Sequence, residues 1–134
     1  DHILAFYDIM PTFCDLIGQK NYTERFGNKK VKHDYFDGIS FAPTLLGTGE
    51  QVEHDFLYWE FHETNQMAVR KGDWKLYVNH GQCKLFNLAT DIHEDTDVSS
   101  AHPDIVKELV KIIHEQHTTP DVSAFNTVTL PQSN

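Results

Sequence analysis

The sequence predicts an α+β fold: a small four-stranded antiparallel sheet packed against a C-terminal helix, with short helices near the N-terminus. Three observations predict it. Four short segments rich in β-branched and aromatic residues, "DFLYWEFH", "QMAVRK", "DWKLYV" and "CKLFNL", follow one another closely. The second and third are separated by Gly72-Asp73, a pair favoured in tight hairpins. Beyond them, "HPDIVKELVKIIHEQ" carries apolar residues at helical spacing.

From the N-terminus, Asp8 is placed to cap a short helix through "DIMPTFCDLIG". Pro11 falls in its first turn, where a missing N–H is tolerated, and Gly18 ends it. Phe13, Leu16 and Ile17 are its expected buried stripe. Asn21 to Asp37 reads as a polar connection with a basic cluster, Lys29, Lys30, Lys32 and His33. In "DGISFAPTLLGTG", Asp37-Gly38 signals a turn, Ser40 can cap a second short helix, and Gly47 can close it.

In the first strand, alternation sends Leu57, Trp59 and Phe61 one way and Tyr58, Glu60 and His62 the other. In the third, Trp74, Leu76 and Val78 share a face, with Trp74 expected to fill core, and Lys75 and Tyr77 share the opposite one. Arg70 and Lys75 are expected across adjacent strands, each needing water or a carboxylate. The last helix, Pro103 to Gln116, presents Ile105, Val106, Leu109, Val110, Ile112 and Ile113 to one sheet face. Their joint burial is what would hold the domain together. The tail from Thr118 is polar, and Phe125 is its expected anchor.

The totals exclude several classes. A chain of 134 residues suits one compact domain with a real core, and 40% apolar with 23% charged residues is ordinary for a globular protein. No apolar run approaches the length of a membrane span. "DHILAF" has no basic flank and does not read as a signal peptide, and the missing initiator Met suggests a piece of a longer chain. A net charge of −9 argues against nucleic acid and anionic membranes as partners. Cys14 and Cys83 form no CxxC; one disulfide is possible, and two free buried thiols fit better.

The order of "DIMPTFCDLIG", "DGISFAPTLLG", "FLYWEFHE", "AVRKGDWKLYV", "KLFNLATDIHEDTDV" and "HPDIVKEL" resembles the C-terminal subdomain of a type I, formylglycine-dependent sulfatase, arylsulfatase-like, of the alkaline phosphatase superfamily. Each piece alone is a weak match; the order and spacing are specific. The resemblance implies that 1–50 is a junction segment left from contact with a catalytic domain, and that 51–134 is the subdomain proper. After "KLFNL", Asp91 and Glu94 match the family pattern, whereas Ile92 stands for its proline and Asp97 for its asparagine, which puts the turn geometry in question.

The resemblance also implies what is absent. Neither Cys14 nor Cys83 nor any serine fits C/S-x-P-S-R, the motif that yields formylglycine, so no catalytic residue and no metal ligand is assigned here. The parent enzyme is expected to carry formylglycine and bind one calcium ion, and to work in the periplasm or outside the cell. This chain alone is expected to be inactive. Its expected partners are its own N-terminal catalytic domain and the parent's sulfated glycan or aryl sulfate substrate, and the isolated chain is expected to self-associate. A related phosphodiesterase or phosphonate monoester hydrolase is the alternative within the superfamily, and an autonomous binding module the alternative outside it.

Glu60, His62 and Glu63, at the end of the first strand, are the candidate substrate-binding residues, because carboxylate and imidazole groups pair with sugar hydroxyls in fixed directions. The competing reading pairs Glu60 with Arg70 or Lys75 across the sheet and leaves His62 simply exposed. His114 and His117, three apart on the last helix, are a weak metal pair without a third ligand. Asp91, Glu94, Asp95 and Asp97 lack the glycine of a calcium loop and read as an acidic turn. The basic cluster reads as a solvated loop rather than a glycan site, and "NYT" at Asn21 is a formal glycosylation sequon.

Overall fold

The structure is a computed structural model describing residues 2–19 and 37–132. The basic cluster and the Asn21 sequon lie outside the described residues. The chain divides into two compact units, Asp1–His54 and Asp55–Asn134.

The first unit is organised by a buried polar knot. A 3-10 turn, Phe6–Asp8, runs directly into helix α1 (Ile9–Leu16), and α2 (Ala42–Leu46) follows after the segment from residue 37. Asp8 is fully buried. Its Oδ2 accepts the Ala5 N–H at 2.7 Å, and its Oδ1 accepts the Ile39 N–H at 2.8 Å and the His54 Nε2 at 2.7 Å. Thr12, also buried, donates its hydroxyl to the Asp8 carbonyl at 2.6 Å and accepts the Phe41 N–H at 2.9 Å. The segment can approach because residue 38 is glycine: a Cβ there would lie 2.1 Å from the Tyr7 carbonyl oxygen.

Two expectations are corrected here. Asp8 does not cap α1 with its side chain; it closes the preceding turn and holds 39 and 54 instead. The buried face of α1 is Pro11, Thr12 and Cys14, whereas Phe13, Leu16 and Ile17 are 61%, 43% and 72% exposed. The knot holds the face that carries Thr12 inward, and Phe13, Leu16 and Ile17 are left outside. Ser40 does serve α2, its Oγ accepting the Ala42 N–H at 3.3 Å from one position before the N-cap. Gly47 closes that helix in the left-handed region, φ +63°.

The second unit is the α+β body that the sequence predicts. Strands β1 (Leu57–Phe61), β2 (Gln66–Lys71), β3 (Trp74–Asn79) and β4 (Gln82–Asn87) form one antiparallel sheet in the order β1-β2-β3-β4. Lys71 pairs with Trp74 across the two-residue turn, and Gly72 takes φ +57°, open to it because it has no Cβ. The next hairpin turns on His80-Gly81, both at positive φ, as a two-residue turn matching the strand twist requires.

Helix α3 (Pro103–Gln116) covers the sheet with the expected stripe. Met67, Val69, Leu76, Val78 and Leu85 meet Leu109, Val110, Ile112 and Ile113 in one core, with Ile105 and Val106 packed at its margin. Each such side chain contributes roughly 1.5–3 kcal/mol when taken from water. Trp74 is only half-buried, at the rim, where its ring meets His102 at a centroid distance of 4.9 Å.

The tail is anchored differently from expectation. Phe125 is 54% exposed and only touches the His62 ring, whereas Val128 and Leu130 pack on the core and Pro131 is buried. A polar strap fixes the path: the Thr129 N–H donates to Asn65 Oδ1 at 2.7 Å, the Thr127 hydroxyl to the His62 carbonyl at 2.9 Å, and His114 Nε2 to the Pro131 carbonyl at 2.9 Å. No sequence period announces such contacts, which span up to 65 positions.

Both cysteines are free. Burial and the nearby Asp97 push the Cys83 thiol up, away from thiolate chemistry. No helix among the described residues is long and apolar enough to cross a membrane.

Candidate functional site

β1 carries the first sequence-predicted site residue, and the register decides where it points. Glu60 lies opposite Met67, on the helix side of the sheet, while Arg70 lies opposite Leu57 and Lys75 on the other side. Side chains alternate along a strand, so the expected pairing of Glu60 with Arg70 or Lys75 across the sheet does not form. Glu60 Oε2 instead accepts two bonds, from the Tyr58 hydroxyl at 2.5 Å and from His117 Nδ1 at 2.9 Å, just past the end of α3.

This trio ties the sheet edge to the helix terminus. Desolvation pushes the Tyr58 phenol well above its ordinary 10.0, and the hydrogen bond and negative charge of Glu60 add to it. The sign follows. An acid whose folded value is raised favours the neutral form, so its stabilisation is complete below about pH 10 and is lost as pH rises beyond. Absorbance at 295 nm should therefore show an ionisation step displaced to high pH, and Tyr58→Phe should delete that step.

His62 and Glu63 sit in an exposed 3-10 turn, His62–Thr64, between β1 and β2. The His62 ring is edge-on to Phe61 and Phe125, at 6.3 and 5.9 Å. No hydrogen bond or ion pair joins Glu60, His62 and Glu63 to one another. The structure thus places one candidate in a structural trio and two on an open turn.

The acidic turn after β4 is a self-satisfied loop. Asp91 accepts the N–H groups of Thr96 and Asp95, which lower its pKa; Asp97 Oδ1 accepts those of Leu85 and Ser99. At Asp97 desolvation pulls upward, but those N–H groups outweigh it and the net shift is downward. An asparagine Oδ1 would accept the same two bonds, so Asp97 performs the bonding that an asparagine at this position would. Glu94, at φ +60°, reaches Lys75 Nζ at 2.5 Å. His114 and His117 bond to Pro131 and Glu60, and among the described residues no group of three or more His, Cys, Asp or Glu could hold a metal ion.

A groove of about 580 Å³ lies on the sheet face turned away from α3, lined among others by Trp59, Phe61, Ala68, Arg70, Lys75 and Tyr77. Alternation alone says which residues of one strand travel together; setting residues of three strands on one face takes the register.

No protein-family model matches the chain. Across 129 residues it is 27% identical to an uncharacterized sulfatase of Schizosaccharomyces pombe, covering 88% of this chain and 22% of that relative. The chain is related to sulfatases. In fold, the chain is similar to Ps i-CgsB, solved in complex with k-i-k-neocarrahexaose, with a TM-score of 0.65 at 24% identity, covering 86% of this chain and 24% of that one. The phosphonate monoester hydrolase of Agrobacterium radiobacter superposes with a TM-score of 0.59 at 22% identity, covering 88% and 26%. This sulfatase-related chain therefore spans about a quarter of the length of the proteins it matches.

Proposed function

We propose that the chain is the C-terminal piece of a sulfatase, a sulfuric ester hydrolase acting on sulfated carbohydrates, in which it supports the catalytic domain and lines part of the substrate cleft. The sequence relation to a sulfatase over 88% of the chain carries this reading. The saccharide bound to one protein of the same fold supports the carbohydrate. The exposed apolar residues on and beside α1 support the partner: Phe6, Phe13 and Ile17 are 87%, 61% and 72% exposed, a surface that calls for cover. The relatives are about four times longer, and the proposed occupant is the catalytic domain in that remaining length. An autonomous module would not need such a face.

In this reading residues 1–50 are the junction and 51–134 the subdomain. Formylglycine and one calcium ion belong, in this reading, to the catalytic domain; neither cysteine here has the modification motif. The parent works in the periplasm or outside the cell. His62 and Glu63, exposed at the strand end, remain the proposed hydroxyl-recognising groups, with Glu60 holding the strand end in place behind them.

Peptide mass spectrometry on the native protein tests the reading. The expected result is a C/S-x-P-S-R segment upstream of Asp1 with formylglycine in place of its Cys or Ser, and hydrolysis of a sulfate ester by the parent but not by this chain alone. A native protein with neither removes it. The likeness to the phosphonate monoester hydrolase favours a second reading. Activity of the parent on phosphonate but not sulfate monoesters would establish that one instead.

A further inference from the structure

We infer that the groove on the sheet face opposite α3 is a saccharide-binding notch, in which Arg70 pairs with an anionic substituent on the sugar. The class of ligand rests on the sulfatase reading; the place rests on the sheet. Register sets Trp59, Ala68 and Tyr77 in one row across β1, β2 and β3. Neighbouring strands are about 4.8 Å apart, so two aromatic side chains rise roughly 9–10 Å apart with only a methyl group between them. A ring in van der Waals contact with both walls needs roughly 7–8 Å. The row is therefore a slot with aromatic walls and an alanine floor, and all three residues line the groove. An apolar ring face against an aromatic wall suits a pyranose, whose hydroxyls point outward.

The charge beside the slot is specific. Arg70 and Lys75 face each other on adjacent strands, an arrangement that costs energy unless one is neutralised. Lys75 is neutralised by Glu94 at 2.5 Å. Arg70 is not: its Nε donates to the Gly72 carbonyl at 3.2 Å, and its two terminal nitrogens have no partner among the described residues. A guanidinium with free donors takes a sulfate or carboxylate two oxygens at a time. On the other side of the row, Gln66 offers both a donor and an acceptor to hydroxyls. The chain as a whole carries −9, so general adhesion of polyanions is disfavoured and the one unpaired cation of the groove stands out.

The test is a nuclear magnetic resonance titration of the 134-residue chain with a carrageenan-derived hexasaccharide and with the same sugar chemically desulfated. The sulfated sugar should move the Trp59 indole N–H and the Ala68 and Tyr77 amides, and the desulfated one should bind about tenfold more weakly or worse. Arg70→Gln should erase that difference. Ala68→Leu should fill the slot and weaken both sugars by about tenfold or more. Lys107→Gln, on α3, should change neither. Because Arg70 stands on the solvent face, its variant keeps the test readable if the alanine variant fails to fold. Still resonances at millimolar sugar would overturn the notch and leave the face to protein contact. Equal binding of both sugars, or equal weakening by Lys107→Gln, would overturn the role of Arg70. A parent that cleaves sulfate esters while these resonances stay still fails the notch alone; a notch that binds in a protein without sulfatase activity fails the sulfatase reading alone.

Discussion

Asp8→Ala should largely unfold the first unit, although the residue is far from anything that looks catalytic in the sequence. The side chain is fully buried and accepts three hydrogen bonds, from Ala5, Ile39 and His54. Removing it leaves two buried N–H groups and an imidazole without their acceptor. Leaving donors without their buried acceptor costs roughly 1–3 kcal/mol each, because they keep their desolvation penalty and lose its compensation. At roughly 0.05–0.15 kcal/mol per residue, a unit this small has about 3–8 kcal/mol in total. The loss is of the same size as the stability. Amide exchange at Ile39 and Ala5 should rise by two orders of magnitude or more, which corresponds to about 3 kcal/mol of lost protection. Asp8→Asn should be milder, since one oxygen remains but an NH₂ must face a donor. Unchanged protection at Ile39 in the alanine variant would mean that the unit is held by its apolar contacts alone. The consequence for the parent follows directly: the knot decides which side of α1 faces out, and so presents Phe6, Phe13 and Ile17 to whatever covers them.

That knot also marks where the sequence stopped being readable. The four strands, the Gly72-Asp73 turn and the α3 stripe are encoded locally, in a period of two, a dipeptide and a period of about 3.6, and each is visible within a short window. In α1 the same kind of window misleads. Phe13, Leu16 and Ile17 have the composition of a core stripe, yet the interior is claimed by Asp8 and Thr12, whose partners lie 29 to 46 positions away. The site shows a similar limit. That Glu60 shares a face with Tyr58 is plain from alternation; that this face is the one toward His117, 57 positions on, depends on which way the sheet is covered. The groove needed one further piece, the register across three strands. Trp59, Ala68 and Tyr77 are an undistinguished set in the sequence and a row in the sheet. Only the positive φ at His80 had a signal that was available and unused, since His80-Gly81 stands midway between two strand segments.

Leu76→Ala should remove most of the stability of the second unit. Leu76 is wholly buried at the centre of the sheet, with Val69 opposite it on one side and Leu85 on the other, and the residues of α3 above. Truncating such a leucine costs about 2–5 kcal/mol: the lost transfer of three carbons from water, plus the cavity that close-packed neighbours cannot fill. In urea the midpoint should fall with little change in slope, because the surface exposed on unfolding is nearly the same. A loss under about 1 kcal/mol would mean that α3 can settle into the space, and that the core is looser than its burial indicates. The prediction bears on binding through the pleat. Lys75 and Tyr77, the residues on either side of Leu76, point to the groove face, and Ala68 lies directly across from Tyr77. A cavity beneath the central row lets the pleat relax, and relaxation there shifts the aromatic walls of the groove. Under conditions where the variant is still folded, its affinity for a sulfated saccharide should fall with its stability. Arg70→Gln, in contrast, should lower affinity while leaving the urea midpoint close to that of the unaltered chain, because an exposed-face side chain bonded only to Gly72 contributes little to the fold.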